Sequence, residues 1–442
     1  MSDPLTLENG ANIAVVGGGP SGSFFTIFAQ KIAGMIGKKV HVTIFEGKDF
    51  TREGPSGCNR CGGVISELLL QTLALEGINF PETIVQRGID SYRLYTSDGD
   101  VSIETPSHEK TIATVYRGGG PKGTFSSQKQ SFDQFLLSLA MNEGALLKPV
   151  RIEKIIYGGR RPIVVTRDKE EQEFDLVVGA VGVKSKTTDL FETMNFGYRK
   201  PETVTAAISE LEMSSAIITE YFGSAIKLFL LPVKDIKFAA MIPKGTYVTV
   251  CLLGKNMNSH SVDQFIGHPL VKSVLPPEEK FSIACRCLPK MNIQAPENPF
   301  ADRIVICGDA GSTRLFKDGL GAAYITGKAA AKAAILQGVG EEDFRQRYYP
   351  VYRSLMHDNV FGSILFTVSE MHKKSAILTR AMLRVVKKEQ TDAESKKILS
   401  SILWDMFTGN ERYKNIFRKS FNLPMQVSFI SECARSFFGR RA

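Results

Sequence analysis

The spacing of hydrophobic positions changes period several times along the chain, and each change marks an element. "NIAVVGGG" carries a short apolar run, Ile13 to Val16, that ends in three glycines. A run of this length bounded by turn residues predicts a buried strand. Phe24, Ile27, Phe28 and Ile32 then recur at helical spacing, and Val40 to Phe45 form a second apolar run closed by Glu46. The opening stretch is therefore strand, glycine turn, helix, strand. "ISELLLQTLAL" predicts a further helix, and "SYRLYTSDGDVSIETP" alternates about Asp98-Gly99, which predicts a strand pair. "SFDQFLLSLAMNEGALL" is an amphipathic helix with a glycine stop, followed by three strand-like runs, "VRIEKIIYG", "RPIVVTR" and "EFDLVVGAVG".

Between about 190 and 290 the pattern turns β-rich. "IKLFLLPV", "IKFAAMIPKG" and "YVTVCLLGK" predict a mostly antiparallel sheet. "DRIVICGDAGS" is another buried strand, ending in Gly308-Asp309, and "GLGAAYITGKAAAKAAIL" is a long helix of small residues. From about 346 onward the chain is helical and basic.

Composition narrows the class. A chain of 442 residues with 43% hydrophobic content can bury a large core in more than one lobe. Its mean hydropathy is −0.06, and no apolar run approaches the roughly 20 residues that span a bilayer. The start lacks a basic region followed by an apolar stretch and a cleavage site, so a cytoplasmic setting is expected. Seven cysteines, at 58, 61, 251, 285, 287, 307 and 433, are too scattered for a disulfide framework. The net charge is +9, and residues 371–442 alone hold 15 Lys and Arg against 6 Asp and Glu. The remainder is neutral. This argues against nucleic acid as a partner of the body, and for a basic helical region able to rest on a membrane surface or to pack as a lid.

The first chemical signal is Gly17-Gly18-Gly19-Pro20-Ser21-Gly22, a G-x-G-x-x-G between a strand and a helix, with an acid at the end of the next strand. Gly17 permits the tight turn, Gly19 lets backbone approach a pyrophosphate, and Gly22 lets the helix pack on the strand. Glu46 is placed to bind a ribose hydroxyl. The second signal is "VICGDAGS": a strand delivers Gly308 and Asp309 to the sheet edge, where Asp309 could hold a ribityl chain. The helix beginning near Gly319, with Gly321 in its first turn, would direct its positive end at a flavin ring. The expected fold is α/β, a Rossmann-like FAD-binding domain with a β-rich substrate domain and a helical C-terminal region.

"GGGPSGS", "FDQFLLSLAMNEGA", "FDLVVGAVGVKS" and "ICGDAG" occur in the order seen in glutathione-reductase-type flavoproteins of the p-hydroxybenzoate-hydroxylase group. Within that group, Cys61-Gly62-Gly63 shortly after the first acid most resembles the geranylgeranyl reductase family. The resemblance covers about residues 10–345. It implies FAD as cofactor, held by Gly17, Gly19, Ser21, Gly22 and Glu46 on the ADP side and by Gly308, Asp309 and Gly321 on the flavin side. It also implies a division into 10–82, 118–190 and 291–345 for the FAD-binding domain, 83–117 and 191–290 for the substrate domain, and 346–442 for the basic helices. Lys129 stands where the family commonly has an Arg, still a cation able to meet a phosphate. Ala180-Val181-Gly182 replaces the usual Ala-Asp-Gly, so ferredoxin or another protein donor is as credible as NAD(P)H. The family's Trp-x-Phe-Pro stretch is not evident, and the sole tryptophan, Trp404, lies elsewhere.

"GCNRCGGVIS" leaves several chemistries open. Cys58-x-x-Cys61 could be half of a zinc site, with Cys285-x-Cys287 as the other half. It could be a redox disulfide exchanging electrons with a flavin, or a packed pair. The resemblance implies a fourth role: Gly62 and Gly63 let backbone approach the flavin while Cys61 faces a hydrophobic, isoprenoid-type substrate whose C=C bonds are reduced. Cys61, Gly62 and Gly63 are the catalytic candidates, and no metal is expected. A flavin monooxygenase and a flavin/thiol electron-transfer protein are the alternatives.

Overall fold

The computed structural model describes residues 5–59, 62–104, 109–121, 130–158, 161–183, 185–392 and 395–438. They fall into two compact units. The first is made of Met1–Cys58, Gln130–Thr203 and Lys290–His357, and the second of Asn59–Lys129, Val204–Pro289 and Asp358–Ala442.

The first unit is built on a six-stranded sheet in the order Phe300–Ala301, Ile304–Ile306, Leu176–Gly179, Ala11–Val16, Val40–Phe45, Leu146–Lys148. All pairings are parallel except the one at the Phe300–Ala301 edge. Val15 pairs with Ile44 and Val178, and Val178 with Val305, so one apolar row crosses four strands. All four side chains are fully buried, as expected of a parallel sheet covered on both faces. The covering helix Pro20–Met35 starts with Pro at its first position and buries Phe24, Phe25, Ile27 and Phe28. It packs against helix Gly319–Leu336, where a Cβ on Gly327 would lie 2.8 Å from the carbonyl oxygen of Ser21. The run of alanines in that second helix is what lets two backbones come this close. A separate antiparallel trio, Ile152–Ile156, Ile163–Thr166 and Glu171–Glu173, lies in the same unit.

The second unit holds a seven-stranded sheet in the order Ser282–Cys287, Ala207–Glu212, Tyr247–Gly254, Ile236–Pro243, Ala225–Leu230, Ser91–Thr96, Gly99–Glu104. The strand pair about Asp98-Gly99 is present, with Tyr92 opposite Ile103. The sheet is antiparallel except at one seam, where Ala225–Leu230 runs parallel to Ser91–Thr96. That seam joins two stretches far apart in sequence, and strand periodicity carries no information about such a pairing. Helix Ala376–Thr391 lies on this edge of the sheet: Leu383 reaches 3.6 Å from the Cβ position of Gly99, and Arg380 Nε donates to Asp98 at 2.7 Å. The half-buried Trp404 packs edge-on against buried Tyr92 at 5.3 Å, so the single tryptophan takes part in the packing of this unit. Among the described residues no helix is long and apolar enough to cross a membrane.

Candidate cofactor site and a buried ion pair

Three glycines of the first loop are constrained in different ways. Gly17 has φ +107°, and a Cβ there would lie 2.4 Å from the carbonyl oxygen of Ala180. A Cβ on Gly22 would lie 2.0 Å from the carbonyl oxygen of Gly17 and 3.0 Å from Val15. Both are therefore demanded by the protein's own packing. Gly19, the residue before the helix, has an ordinary φ of −66°, and no heavy atom lies within 4 Å of its Cβ position. The protein does not need glycine there. The open ground lies at the first turn of a 16-residue helix, whose leading N–H groups have no intrahelical acceptor.

Glu46 closes the loop from the next strand. Its Oε2 accepts from Gly18 N–H at 3.0 Å and its Oε1 from Lys48 N–H at 2.8 Å. Each carboxylate oxygen keeps a second lone pair for a hydroxyl donor. Gly18 was not singled out by the motif, yet its N–H orients Glu46. Arg151 was also missed. Its side chain crosses Gly47 so closely that a Cβ there would meet Arg151 Cγ at 2.3 Å and Nε at 3.0 Å.

The second element meets the first at Ser21. The Ser21 hydroxyl donates to Cys307 Sγ at 3.1 Å, and a Cβ on Gly308 would lie 2.7 Å from Ser21 Cβ. Gly308 N–H donates to Thr326 Oγ1 at 2.9 Å. Tyr348 and Tyr198 hold the turn from below through hydrogen bonds to the carbonyl oxygens of Ile306 (2.6 Å) and Ala310 (2.8 Å). Asn292 Nδ2 donates to the Asp309 carbonyl at 2.6 Å, while Asn292 Oδ1 is buried without a hydrogen-bond donor. The Asp309 carboxylate reaches 3.7 Å from the Cβ position of Gly319, at the head of helix Gly319–Leu336.

Gly321 plays a part that the sequence did not suggest. Its N–H donates to Asp318 Oδ1 at 3.0 Å, because Asp318, at φ +53°, caps the helix. A Cβ on Gly321 would lie 2.3 Å from Asp318 Oδ2. Arg314 holds the same carboxylate at 3.2 Å. Burial raises the Asp318 pKa, and Arg314 opposes that rise. The positive end of this helix is thus met first by the chain's own acid. Val181, in place of the expected Asp, packs against the apolar cluster around Phe191 and Ile306.

These residues fit a dinucleotide. Gly19 leaves open ground at the helix N-terminus, Glu46 is held by two N–H groups, and a buried acceptor on Asn292 stands beside the Gly308–Asp309 turn. Gly17, Gly19, Ser21, Gly22, Glu46, Gly308, Asp309 and Gly321 all belong to the first unit. Lys129 and Cys61 lie outside the described residues.

Gly62 and Gly63 belong to the second unit. Gly63 has φ +66°, its carbonyl accepts from Val115 N–H at 2.8 Å, and a Cβ on it would lie 2.1 Å from the Val115 carbonyl oxygen. Beneath it is a charged cluster. Lys244 Nζ lies 3.4 Å from the Gly63 Cβ position, 3.6 Å from Glu210 Oε1 and 5.1 Å from the Tyr116 ring centre. The Lys244 side chain is only 1% exposed and that of Glu210 9%. Thr249 Oγ1 donates to Glu210 Oε2 at 2.7 Å. Burial pushes the Tyr116 phenol pKa up, and the Glu210 charge adds to the rise. Gly62 faces Ile242 and Cys251, whose Sγ is 3.3 Å from its Cβ position. Neither Lys244 nor Glu210 was predicted, since strand periodicity does not tell which polar residues of two different strands are buried together.

Among the described residues no three or more His, Cys, Asp or Glu side chains gather as metal ligands; Cys61, which the zinc alternative requires, lies outside those residues. Cys285 and Cys287 sit on strand Ser282–Cys287, opposite Glu210 and Ile208.

No family model matches the chain, and no curated protein matches it. Solved structures do. A geranylgeranyl bacteriochlorophyll reductase-like protein from Thermoplasma acidophilum superposes with a TM-score of 0.67 at 15% identity, over 93% of this chain and 98% of that one. A flavin-dependent brominase gives 0.63 at 14% identity, over 93% and 98%. The p-nitrophenol 4-monooxygenase of Pseudomonas putida gives 0.63 at 13% identity, over 92% and 100%. At these identities the likeness establishes the fold, over 92–93% of this chain.

Proposed function

We propose that the chain is an FAD-dependent oxidoreductase of the geranylgeranyl-reductase type that reduces C=C bonds in a hydrophobic, isoprenoid-type substrate. The observation that supports the cofactor assignment is the contrast between Gly17 and Gly22, which the protein's packing requires, and Gly19, which it does not and which leaves open ground at the helix N-terminus. In this reading the loop and Glu46 hold the ADP half, and Gly308, Asp309 and Asn292 hold the flavin half. Bound FAD, once reduced, supplies a hydride to one alkene carbon while a proton goes to the other. The protein binds the chain, excludes water and delivers the proton, with Cys61 as the candidate donor next to Gly62 and Gly63. The substrate class rests on the Cys61-Gly62-Gly63 resemblance together with the reductase-like neighbour. NAD(P)H or a protein such as ferredoxin supplies the electrons.

Reconstitution tests both levels. The purified protein is expected to take up one FAD and show flavin absorbance; a colourless protein that refuses FAD overturns the proposal. With the flavin reduced anaerobically, geranylgeraniol is expected to reoxidise it and gain two hydrogens per bond reduced. The monooxygenase neighbour favours a second reading, in which O₂ is consumed in step with hydroxylation of an aromatic substrate. That outcome would replace the reductase assignment and keep the cofactor.

A further inference from the structure

Helix Leu423–Phe438 carries most of its large apolar side chains on the outside. Leu423, Val427, Ile430, Phe437 and Phe438 recur along one face, and each is between 53% and 77% exposed. The inner face is mixed: Met425 and Ser436 are buried, Ser436 accepts from Arg384 Nη1 at 3.3 Å, and Glu432 pairs with the same guanidinium at 3.6 Å. Amphipathic helices of water-soluble domains normally show the opposite order. A row of apolar side chains pointing away from the body marks a surface that something covers.

The neighbouring helix repeats the pattern. Val360, Ile364, Val368 and Met371, in the part of Tyr349–Lys374 that belongs to the second unit, form a second exposed apolar row. Ring contacts connect this helix to the C-terminal segment. Phe361 meets Phe417 at 5.3 Å and Phe417 meets Phe421 at 4.9 Å, while His372 meets Phe429 at 5.6 Å. Phe421, just before helix Leu423–Phe438, is itself 62% exposed.

Charge selects the occupant. Residues 409–442 contain seven Lys and Arg against two Asp and Glu, and Arg412, Arg418 and Arg435 are exposed. Bulky apolar side chains on one face of a helix with basic residues at its flanks match the boundary of an anionic bilayer. There the side chains enter the acyl region and the guanidinium and ammonium groups meet phosphates. We propose that the Leu423–Phe438 helix, helped by the Val360–Met371 row, docks the protein on the surface of anionic membranes. This rests on the second unit alone and does not depend on the cofactor assignment.

The test is co-sedimentation of the full-length protein with phosphatidylcholine vesicles, with and without phosphatidylglycerol. Binding is expected with phosphatidylglycerol present, falling as NaCl rises from about 0.1 M to about 0.5 M. Replacing Val427 and Ile430 with Ser is expected to lower the partition coefficient about tenfold or more, since two apolar side chains no longer enter the acyl region. Both are exposed, so the variant keeps its fold, which its circular dichroism checks. Absence of binding to anionic vesicles overturns the proposal, as does binding unchanged in the variant. A stable dimer in light scattering that the same two substitutions dissociate also overturns it, by assigning the face to a second copy.

Discussion

Ser21 and Cys307, 286 positions apart in the chain, are joined by a hydrogen bond of 3.1 Å in which the serine hydroxyl donates to the thiol. The glycine loop and the Gly308 turn are thereby one structural object. Cys307 is fully buried, and burial pushes its thiol up from 9.0 to about 12, with the Ser21 hydroxyl pulling weakly the other way. Iodoacetamide at pH 8.5 is therefore expected to leave Cys307 unmodified in the native protein and to alkylate it once urea is added, as read by peptide mass spectrometry. The sign for stability follows from linkage. The thiol's contribution is whole below pH 9 and is lost as pH rises toward 12, because the unfolded chain ionises first. Alkylation of native Cys307 at the unfolded rate would mean that the junction is open.

Gly308→Ala probes the same junction sterically. At φ +65°, with Ser21 Cβ 2.7 Å from the new methyl, alanine meets both backbone strain and a clash. The expected cost is about 2–4 kcal/mol. Ser21→Gly in the same chain should recover the steric part and leave the backbone part. A double-mutant cycle by chemical denaturation, followed on the native-state signal of this unit, reads the coupling; zero coupling would contradict the contact.

The first loop separates architecture from binding. Gly22→Ala places a methyl 2.0 Å from a backbone oxygen, and neither group can move aside, so loss of soluble protein or a large fall in melting temperature is expected. Gly19→Ala adds a methyl with nothing within 4 Å, at a φ that alanine adopts freely. It is expected to leave the melting temperature of the cofactor-free protein unchanged and to weaken FAD binding by about tenfold or more, because a methyl occupies the ground that a pyrophosphate oxygen needs. If FAD affinity by fluorescence titration is equal in Gly19→Ala and the parent, the cradle is not where the phosphates lie.

Local constraints were legible in the sequence, and long-range ones were not. Gly17 and Gly22 could be read because a tight turn and a helix packed on a strand impose glycine within a few residues of one another. The helix beginning at Gly319 could be read from its small residues, but Asp318 as its cap could not, since the cap depends on a left-handed backbone at a non-glycine residue. The parallel seam between Ala225–Leu230 and Ser91–Thr96 left no trace in either strand. The helix at Leu423–Phe438 was visible as amphipathic, but which side faces the body depends on Arg384, a residue of another helix. Lys244 and Glu210 were missed for the same reason: each looks solvated alone, and only the sheet buries them together.

That buried pair allows a last prediction. Lys244→Met removes the cation 3.6 Å from Glu210 and leaves a carboxylate that is 9% exposed, with Thr249 as its remaining hydrogen-bond donor. A lone buried charge costs about 3–5 kcal/mol, whereas replacing both partners by apolar groups of similar volume is often neutral or favourable. Lys244→Met is therefore expected to destabilise the second unit by about that amount. Lys244→Met with Glu210→Met should regain most of it, less the hydrogen bond from Thr249, which is worth about 1 kcal/mol. The double variant then shows what the charges do beyond holding the fold. If they only anchor the Gly63 loop, turnover recovers with stability. If they orient or protonate the substrate, stability returns while turnover stays low and its pH profile changes. A single Lys244→Met variant that loses less than about 1 kcal/mol would show that Glu210 is not desolvated, and the pair would then carry neither role.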